Sequence, residues 1–208
     1  MRATVLLISI GLVVGGCKDP GADVTAATVD SPAETKAAAA PGGEATNSLA
    51  INPSNSKIEF VGAKVTGSHD GGFTDFTGKV ALAESIENSQ IELTLQTASL
   101  YADKEKLTKH LKSPDFFDVG KFPTATFRST GIKKEGTGHT ITGDLTLHGV
   151  TKSISFPATI SVSDARVDAK AEFSINRQDF GIAYPGMPDD LIRDLVVIKL
   201  SLGLPRQS

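Results

Sequence analysis

Residues 107–130 have the sequence LTKHLKSPDFFDVGKFPTATFRST. In this stretch an amphipathic helical segment is followed by an apolar pair, Phe116 and Phe117, and then by the alternation of apolar and polar residues that is typical of a strand. The stretch contains no nucleophile, no paired acid and base, and no metal-ligand spacing. It therefore predicts a passage from helix to sheet rather than a catalytic motif.

One short helix is predicted over residues 104–112. Leu107 and Leu111 lie one turn apart on its apolar face, and charged residues occupy the other positions. Asp103 is the predicted N-cap, and Pro114 ends the helix because proline cannot continue it. Another short helical turn is predicted after Asn176.

Period-two alternation predicts that the rest of the domain consists of antiparallel strands with one wet face and one buried face. The predicted strands are 57–66, 72–83, 90–98, 123–133, 138–148, 151–163, 166–175 and 194–203. We expect an all-β fold in which these eight strands form an antiparallel up-and-down barrel, because closure removes exposed sheet edges. The helix lies between the third and fourth strands. The glycine-rich segment 67–72 is expected to be a flexible hairpin at the barrel rim.

The N-terminal part predicts export and attachment to a membrane. Residues 1–17 combine an early positive charge, an apolar run too short to remain as a membrane-spanning helix, and small residues before Cys17. This pattern resembles a bacterial lipobox, in which Cys17 is lipidated; the alternative is an ordinary signal peptide followed by a chance cysteine. Residues 18–50 are predicted to be a disordered tether rich in Ala, Gly and Pro, and 51–208 to be the folded domain.

Composition and charge argue against several classes of function. The net charge is −3 and no basic stripe is interleaved with aromatic residues, so we expect no nucleic-acid partner. No pair among the four histidines has a metal-ligand spacing, so we expect neither a metal nor a cofactor. For His148, before Gly149, the favoured interpretation is a structural hydrogen bond at a tight turn.

Three motifs together resemble the YceI-like family. They are the opening stretch, the sequence GDLTLHGVTK at 143–152 and the sequence INRQDFGI at 175–182, within a resemblance that spans about residues 49–204. The resemblance implies a lipocalin-like barrel that binds a long polyisoprenoid lipid, such as a quinone or prenyl lipid, without catalysis. It also implies a bound lipid as the ligand in place of a cofactor.

An apolar cavity and a filled core are both compatible with the residues alone, and the family resemblance favours the cavity. Broad apolar walls suit an isoprenoid chain, and small inward residues such as Gly143, Ala169 and Ala171 leave room for it. The candidate lining residues are Phe60, Phe73, Phe76, Phe116, Phe117, Phe127, Leu145, Leu147, Phe156, Ala171, Phe173 and Phe180.

Four basic residues are candidates for contact with a lipid head group: Lys64, Lys152, Arg177 and Arg193. For Arg177 a structural ion pair is the favoured alternative. The segments 61–64 and 184–190 resemble one branch of the family, whereas many members carry a histidine near Ala63 and Lys64. This departure weakens the carry-over of the family's head-group contacts to this chain.

The expected location is the periplasmic side of a bacterial cell envelope, with the protein held by lipid on Cys17. The outer membrane is favoured because Lys18 stands where some bacteria use aspartate for retention in the inner membrane. A homodimer is left open. Two alternative functions remain: an envelope structural or stress-response protein with a filled barrel, and a lipid-modifying enzyme.

Overall fold

The computed structural model of the chain describes residues 19–32 and 47–206. Its strands are β1 (Thr28–Asp30), β2 (Asn47–Ile51), β3 (Ser56–Lys64), β4 (Gly67–Phe73), β5 (Phe76–Leu82), β6 (Gln90–Gln96), β7 (Leu100–Ala102), β8 (Thr124–Glu135), β9 (Gly138–Leu147), β10 (Val150–Val162), β11 (Arg166–Asn176), β12 (Gly186–Met187), β13 (Asp190–Leu191) and β14 (Leu195–Pro205). One α-helix, α1, spans Glu105–Leu111, and 3₁₀ turns span Ile86–Asn88, Thr97–Ser99 and Arg177–Phe180.

The strands form the predicted antiparallel barrel. Pairing runs from β3 to β14, β11, β10, β9, β8, β6 and β5. Only Thr74 and Asp75 separate β5 from β4, and β4 pairs with β3, so β4 and β5 act as one bent strand that completes the ring. The short strand β2 pairs with β5 along the edge that this bend leaves open. The all-β, antiparallel, barrel-like fold is therefore confirmed, but the main sheet of the described residues has twelve strands rather than eight, because short strands are added at its margins.

The glycine-rich segment is a strand rather than the predicted flexible hairpin. Gly67–Phe73 pairs with β3 as β4, and the turn is formed by Val65 and Thr66 instead. Glycine is required here by close approach, because a Cβ on Gly71 would overlap the ring of Phe60.

The helix is found where it was predicted, but Asp103 does not cap it. Lys104 occupies the N-cap position and makes no capping hydrogen bond through its side chain. The Asp103 carboxylate lies 2.9 Å from Nδ1 of His69 on β4 and so ties the helix to the barrel instead. The predicted turn after Asn176 is also present, and the side chain of Asn176 accepts a hydrogen bond from the Gln178 N–H at 2.9 Å.

Part of the predicted tether is built into the barrel wall. β10 and β11 pair only over 159–162 and 167–170. Beyond that point β1 pairs with residues 153–155 of β10. On the other side, the Ala27 N–H donates to the Ser174 carbonyl of β11 at 2.8 Å, and Ala27 is buried. Residues 25–30 therefore fill a fork between the two strands, and the prediction of disorder is wrong for this segment.

Cys17, the apolar run before it and residues 33–46 lie outside the described residues. Residues 47–50 of the predicted tether belong to β2, so the prediction of disorder is wrong there as well. The signal sequence, the lipobox and tether residues 33–46 stay predictions. In the part of the chain that the structure describes, no helix is both long and apolar enough to cross a membrane.

Two apolar clusters make up the core. One joins β8, β9, β10 and β11 and includes Phe127, Ile141, Phe156, Phe173 and Phe180. The other joins β2, β3, β5, β11 and β14 and includes Leu49, Ile51, Leu82, Val167 and Leu204. Because the lower ends of β11 and β14 meet at the Val167–Leu204 pair, the second cluster closes one end of the barrel.

Candidate functional site

The barrel encloses a cavity of about 640 Å³. Its walls come from the barrel strands, from α1 and from the segment that leads into β14. Ten of the predicted lining residues border it: Phe60, Phe73, Phe116, Phe117, Phe127, Leu145, Leu147, Phe156, Ala171 and Phe173. The volume lies within the range of roughly 300–1,000 Å³ that is typical of cavities holding small organic ligands.

Phe76 and Phe180 do not border the cavity, although they were predicted to. Both are fully buried, at 1% and 0% exposure. Phe76 packs in the cluster that contains Leu49, and Phe180 lies in a 3₁₀ turn beyond the end of β11. The Phe180 carbonyl lies 3.3 Å from Nδ1 of His148, so this turn is held against the β9–β10 hairpin. Both phenylalanines stabilise the shell around the cavity.

Of the three small residues that were expected to leave room in the cavity, two border it and one does not. Ala169 and Ala171 border the cavity as expected. Gly143 leaves no free space, because a Cβ at this position would lie 2.5 Å from the ring of Phe127. The glycine lets the Phe127 ring lie flat against β9.

Stacked aromatic rings form one wall of the cavity. The rings of Phe156 and Phe173 lie 4.1 Å apart at an interplanar angle of 12°, and Phe127 adjoins Phe156 at 5.8 Å. Phe156 and Phe173 lie just past the last paired residues of β10 and β11, at the fork that the N-terminal segment fills. Residues 25–30 therefore pack behind the aromatic wall, on the side away from the cavity.

Apart from Leu145 and Leu147, the large aliphatic residues of the lining were missing from the predicted set. They include Ile132, Ile141, Ile154, Ile198 and Leu200. Four of them belong to the alternating patterns that predicted the strands, so the signal for them was present. Ile132 is different, because a register shift between Ser129 and Gly131 brings both Phe127 and Ile132 to the inner face of β8.

One end of the cavity, here called the mouth, is bordered by α1 and residues 184–193. Leu107, His110 and Leu111 of the helix contribute to the lining. The His110 ring meets Phe116 and Tyr184 edge-on at 5.0 and 5.1 Å, and its Nε2 lies 2.9 Å from the Asp115 carboxylate. Phe116 is buried, and its neighbour Phe117 is partly exposed.

An ion pair fastens the hairpin β12–β13 to the opposite rim of the mouth. The Lys64 ammonium donates to the Asp190 carboxylate, which also accepts from the Thr66 hydroxyl at 2.9 Å. The hydrogen bond from Lys64 is the main reason that the pKa of Asp190 lies below its usual range. Lys64 does border the cavity, but its charge is already paired within the chain.

The other three basic candidates for contact with a head group differ in their burial and in their position relative to the cavity. Arg177 is 4% exposed, and its guanidinium donates to the Ile182 carbonyl at 2.6 Å and to the Asp194 carboxylate at 3.0 Å. Burial lowers the pKa of Arg177, and Asp194 partly opposes this shift. The structural ion pair is therefore present. Arg193 borders the mouth, whereas Lys152 does not border the cavity, and contact of Lys152 with a head group stays a prediction.

The described residues contain no group of three or more His, Cys, Asp or Glu side chains positioned to hold a metal ion. The polar groups of the mouth are paired with one another, as in His69 with Asp103 and His110 with Asp115. What the arrangement offers chemically is an apolar enclosure with a polar rim, which suits an amphiphile.

A profile of the YceI-like domain matches residues 49–204. The chain belongs to the YceI-like family. Over 124 residues it is 41% identical to a UPF0312 protein of Pseudomonas putida (strain W619) and 40% identical to one of Pseudomonas fluorescens (strain SBW25). These alignments cover 56% of this chain and 65% of each relative, so the chain spans slightly less than two thirds of their length.

Solved structures share the fold. BcnA of Burkholderia cenocepacia superposes with a TM-score of 0.66 at 23% identity, covering 74% of this chain and 98% of BcnA. A polyisoprenoid binding domain from Saccharophagus degradans, implicated in plant cell wall breakdown, gives 0.62 at 15% identity and covers 77% of this chain and 98% of that domain. At these identities the likeness concerns the fold alone.

Proposed function

We propose that this protein binds one long apolar lipid of the polyisoprenoid class, such as a quinone or prenyl lipid, inside its barrel and without catalysis. The observation that carries the proposal is the cavity of about 640 Å³, whose lining is predominantly apolar. Burying an isoprenoid chain there removes apolar surface from water, which is the main source of affinity for such a ligand. The Saccharophagus degradans domain, described as polyisoprenoid binding, supports this choice of ligand class.

The polar rim favours a ligand with a polar end. The mouth carries His110, Tyr184 and Arg193, whereas the closed end is formed by aliphatic side chains. An amphiphile would place its chain against the aromatic wall and its head near these three residues. Lys64 and Arg177 have smaller roles in the proposal, because Lys64 holds the β12–β13 hairpin through Asp190 and Arg177 is buried at 4% exposure, where it donates to the Ile182 carbonyl.

The proposed location is the periplasmic side of the cell envelope, with a lipid on Cys17 as the anchor and the outer membrane favoured. The support is the sequence Gly15-Gly16-Cys17 after a short apolar run. Changing Cys17 to Ser should release the protein from the membrane fraction or stall its processing. Unchanged membrane partitioning together with normal maturation would contradict the anchor.

A pair of alanine substitutions tests the cavity directly. Ala171→Phe adds a ring on the cavity wall, and we expect at least several-fold weaker binding of a fluorescent prenyl analogue with little loss of stability. Ala81→Phe is the matched control, since Ala81 alternates with the cavity residues Val80 and Leu82 and does not border the cavity itself. Equal binding by both variants, with a stability loss of about 1–3 kcal/mol for Ala171→Phe, would indicate a filled barrel.

A further inference from the structure

Three large apolar side chains are exposed around the mouth. Met187 is 61% exposed, Leu191 50% and Val65 43%. Val65 belongs to the β3–β4 turn, and the other two belong to the hairpin β12–β13; the Val65 N–H donates to the Leu191 carbonyl at 3.0 Å. These three residues, here called the mouth patch, lie on two adjacent turns of the chain.

The mouth patch is continuous with the cavity. Met187 is exposed to solvent and also borders the cavity, together with its neighbour Gly186. Met187 therefore links the exposed patch to the lining of the cavity, beside the Lys64–Asp190 ion pair. A flexible, unbranched methionine suits such a position because it adapts to varied apolar partners.

The N-terminal segment approaches the barrel at the same end. The Asp19 carboxylate lies 3.8 Å from Nε of Arg193, a mouth residue. Gly21 is packed so closely on β14 that a Cβ on it would lie 2.5 Å from Cβ of Leu195. Residues 25–30 then fill the fork between β10 and β11, so the path of this segment is fixed by the fold.

Eighteen residues precede Asp19, and they include the apolar run 5–14 and Cys17. Two residue steps separate Cys17 from Asp19, a distance of at most about 7 Å in an extended chain. Any membrane attachment through Cys17 would therefore hold the barrel by the edge of its mouth.

We propose that the mouth patch of Val65, Met187 and Leu191 docks on the lipid bilayer, so that the cavity opens directly onto the membrane. This inference rests on the proposed function, since it supplies the route by which the lipid ligand enters. The predicted long tether would let the barrel move far from the membrane. In this proposal the barrel is instead held with its mouth against the membrane. Apolar side chains of this kind insert about 5–10 Å into the boundary between head groups and acyl chains.

The test places a fluorophore at either end of the barrel in the full-length protein. Met187→Cys and Leu191→Cys report on the mouth. Val162→Cys is the matched control, because Val162 is 44% exposed and lies at the opposite end of the barrel, beside the β10–β11 turn. Each variant is labelled with a nitrobenzoxadiazole dye and bound to vesicles of phosphatidylethanolamine and phosphatidylglycerol that carry a doxyl-quencher lipid. Labelling of the chain without an introduced cysteine reports whether Cys17 is free.

We expect the dye at positions 187 and 191 to be quenched at least about two-fold more than the dye at position 162, with a blue-shifted emission, because only the mouth enters the interface. Equal quenching at both ends overturns the docking proposal. A protein that does not float with the vesicles overturns it as well, and in that case the lipid anchor fails too. Uptake of a fluorescent prenyl analogue in solution is measured on the same variants, and its absence contradicts the proposed function separately.

Discussion

The two ends of the barrel have opposite character. At the closed end Leu49, Ile51, Leu82, Val167 and Leu204 are each at most 7% exposed and pack on one another. At the mouth, a seven-residue helix and a two-strand hairpin are held by partly exposed ion pairs, and large apolar side chains face solvent. Apolar packing contributes much more to stability than exposed ion pairs do. We therefore expect the closed end to contribute more to the stability of the fold than the mouth does.

The largest expected effect on stability is at the closed end. Leu49 is 3% exposed and does not border the cavity, and Leu49→Ala should lower the free energy of unfolding by about 2–5 kcal/mol, because it removes buried methyl groups and leaves a void. Chemical denaturation measures this loss. In the variant that remains folded, exchange of a bound prenyl analogue should keep the wild-type rate. Faster exchange would contradict the division between the two ends.

Phe117→Ala tests the mouth and should have the reverse effect. Phe117 is partly exposed, borders the cavity and contacts Phe73 with ring centroids 6.0 Å apart. We expect stopped-flow exchange of the analogue to become several-fold faster. The loss of stability should stay below the roughly 3–5 kcal/mol that is typical of removing a fully buried phenylalanine. An unaltered exchange rate in a folded variant would show that Phe117 is not part of a lid.

The smallest effect is expected from the ion pair at the hairpin, and it depends on pH. Because Lys64 lowers the pKa of Asp190 in the folded chain, the pair is complete above the ordinary aspartate pKa of about 4. It is lost as the pH falls through the lower folded-state value. Exchange of the analogue should therefore be constant near neutral pH and accelerate in strong acid. Asp190→Asn should exchange somewhat faster at neutral pH, without a measurable change in melting temperature, and a wild-type rate in that variant would contradict the role of the pair.

The barrel strands could be predicted because their signal is local. Alternation such as that of β11, and turns such as Gly136-Thr137 and His148-Gly149, are readable within a few residues. β4 was missed because its glycines resemble a loop, whereas they are needed for close packing on Phe60. β1 was missed because it has only three residues and forms only where β10 and β11 separate.

The residues that line the cavity could be predicted more completely than the contacts of the residues around its mouth. Inward-facing aromatic residues follow from strand periodicity, but the turn that holds Phe180 and the core position of Phe76 depend on tertiary packing. Lys64 and Asp190 are 126 residues apart in sequence, so no local pattern could reveal that the charge of Lys64 is paired. Long-range ion pairs of this kind decide which basic residues remain available to a ligand.

The most direct test of lipid binding is native mass spectrometry of the protein purified from its own host, with Ala171→Phe purified in parallel. The proposed function predicts that the wild-type protein carries one non-covalent lipid, which is released on activation and identified as an isoprenoid, and that the variant carries much less of it. A wild-type protein that shows only the mass of the processed chain, in a preparation where the barrel is folded, would contradict the proposal that the cavity holds a lipid.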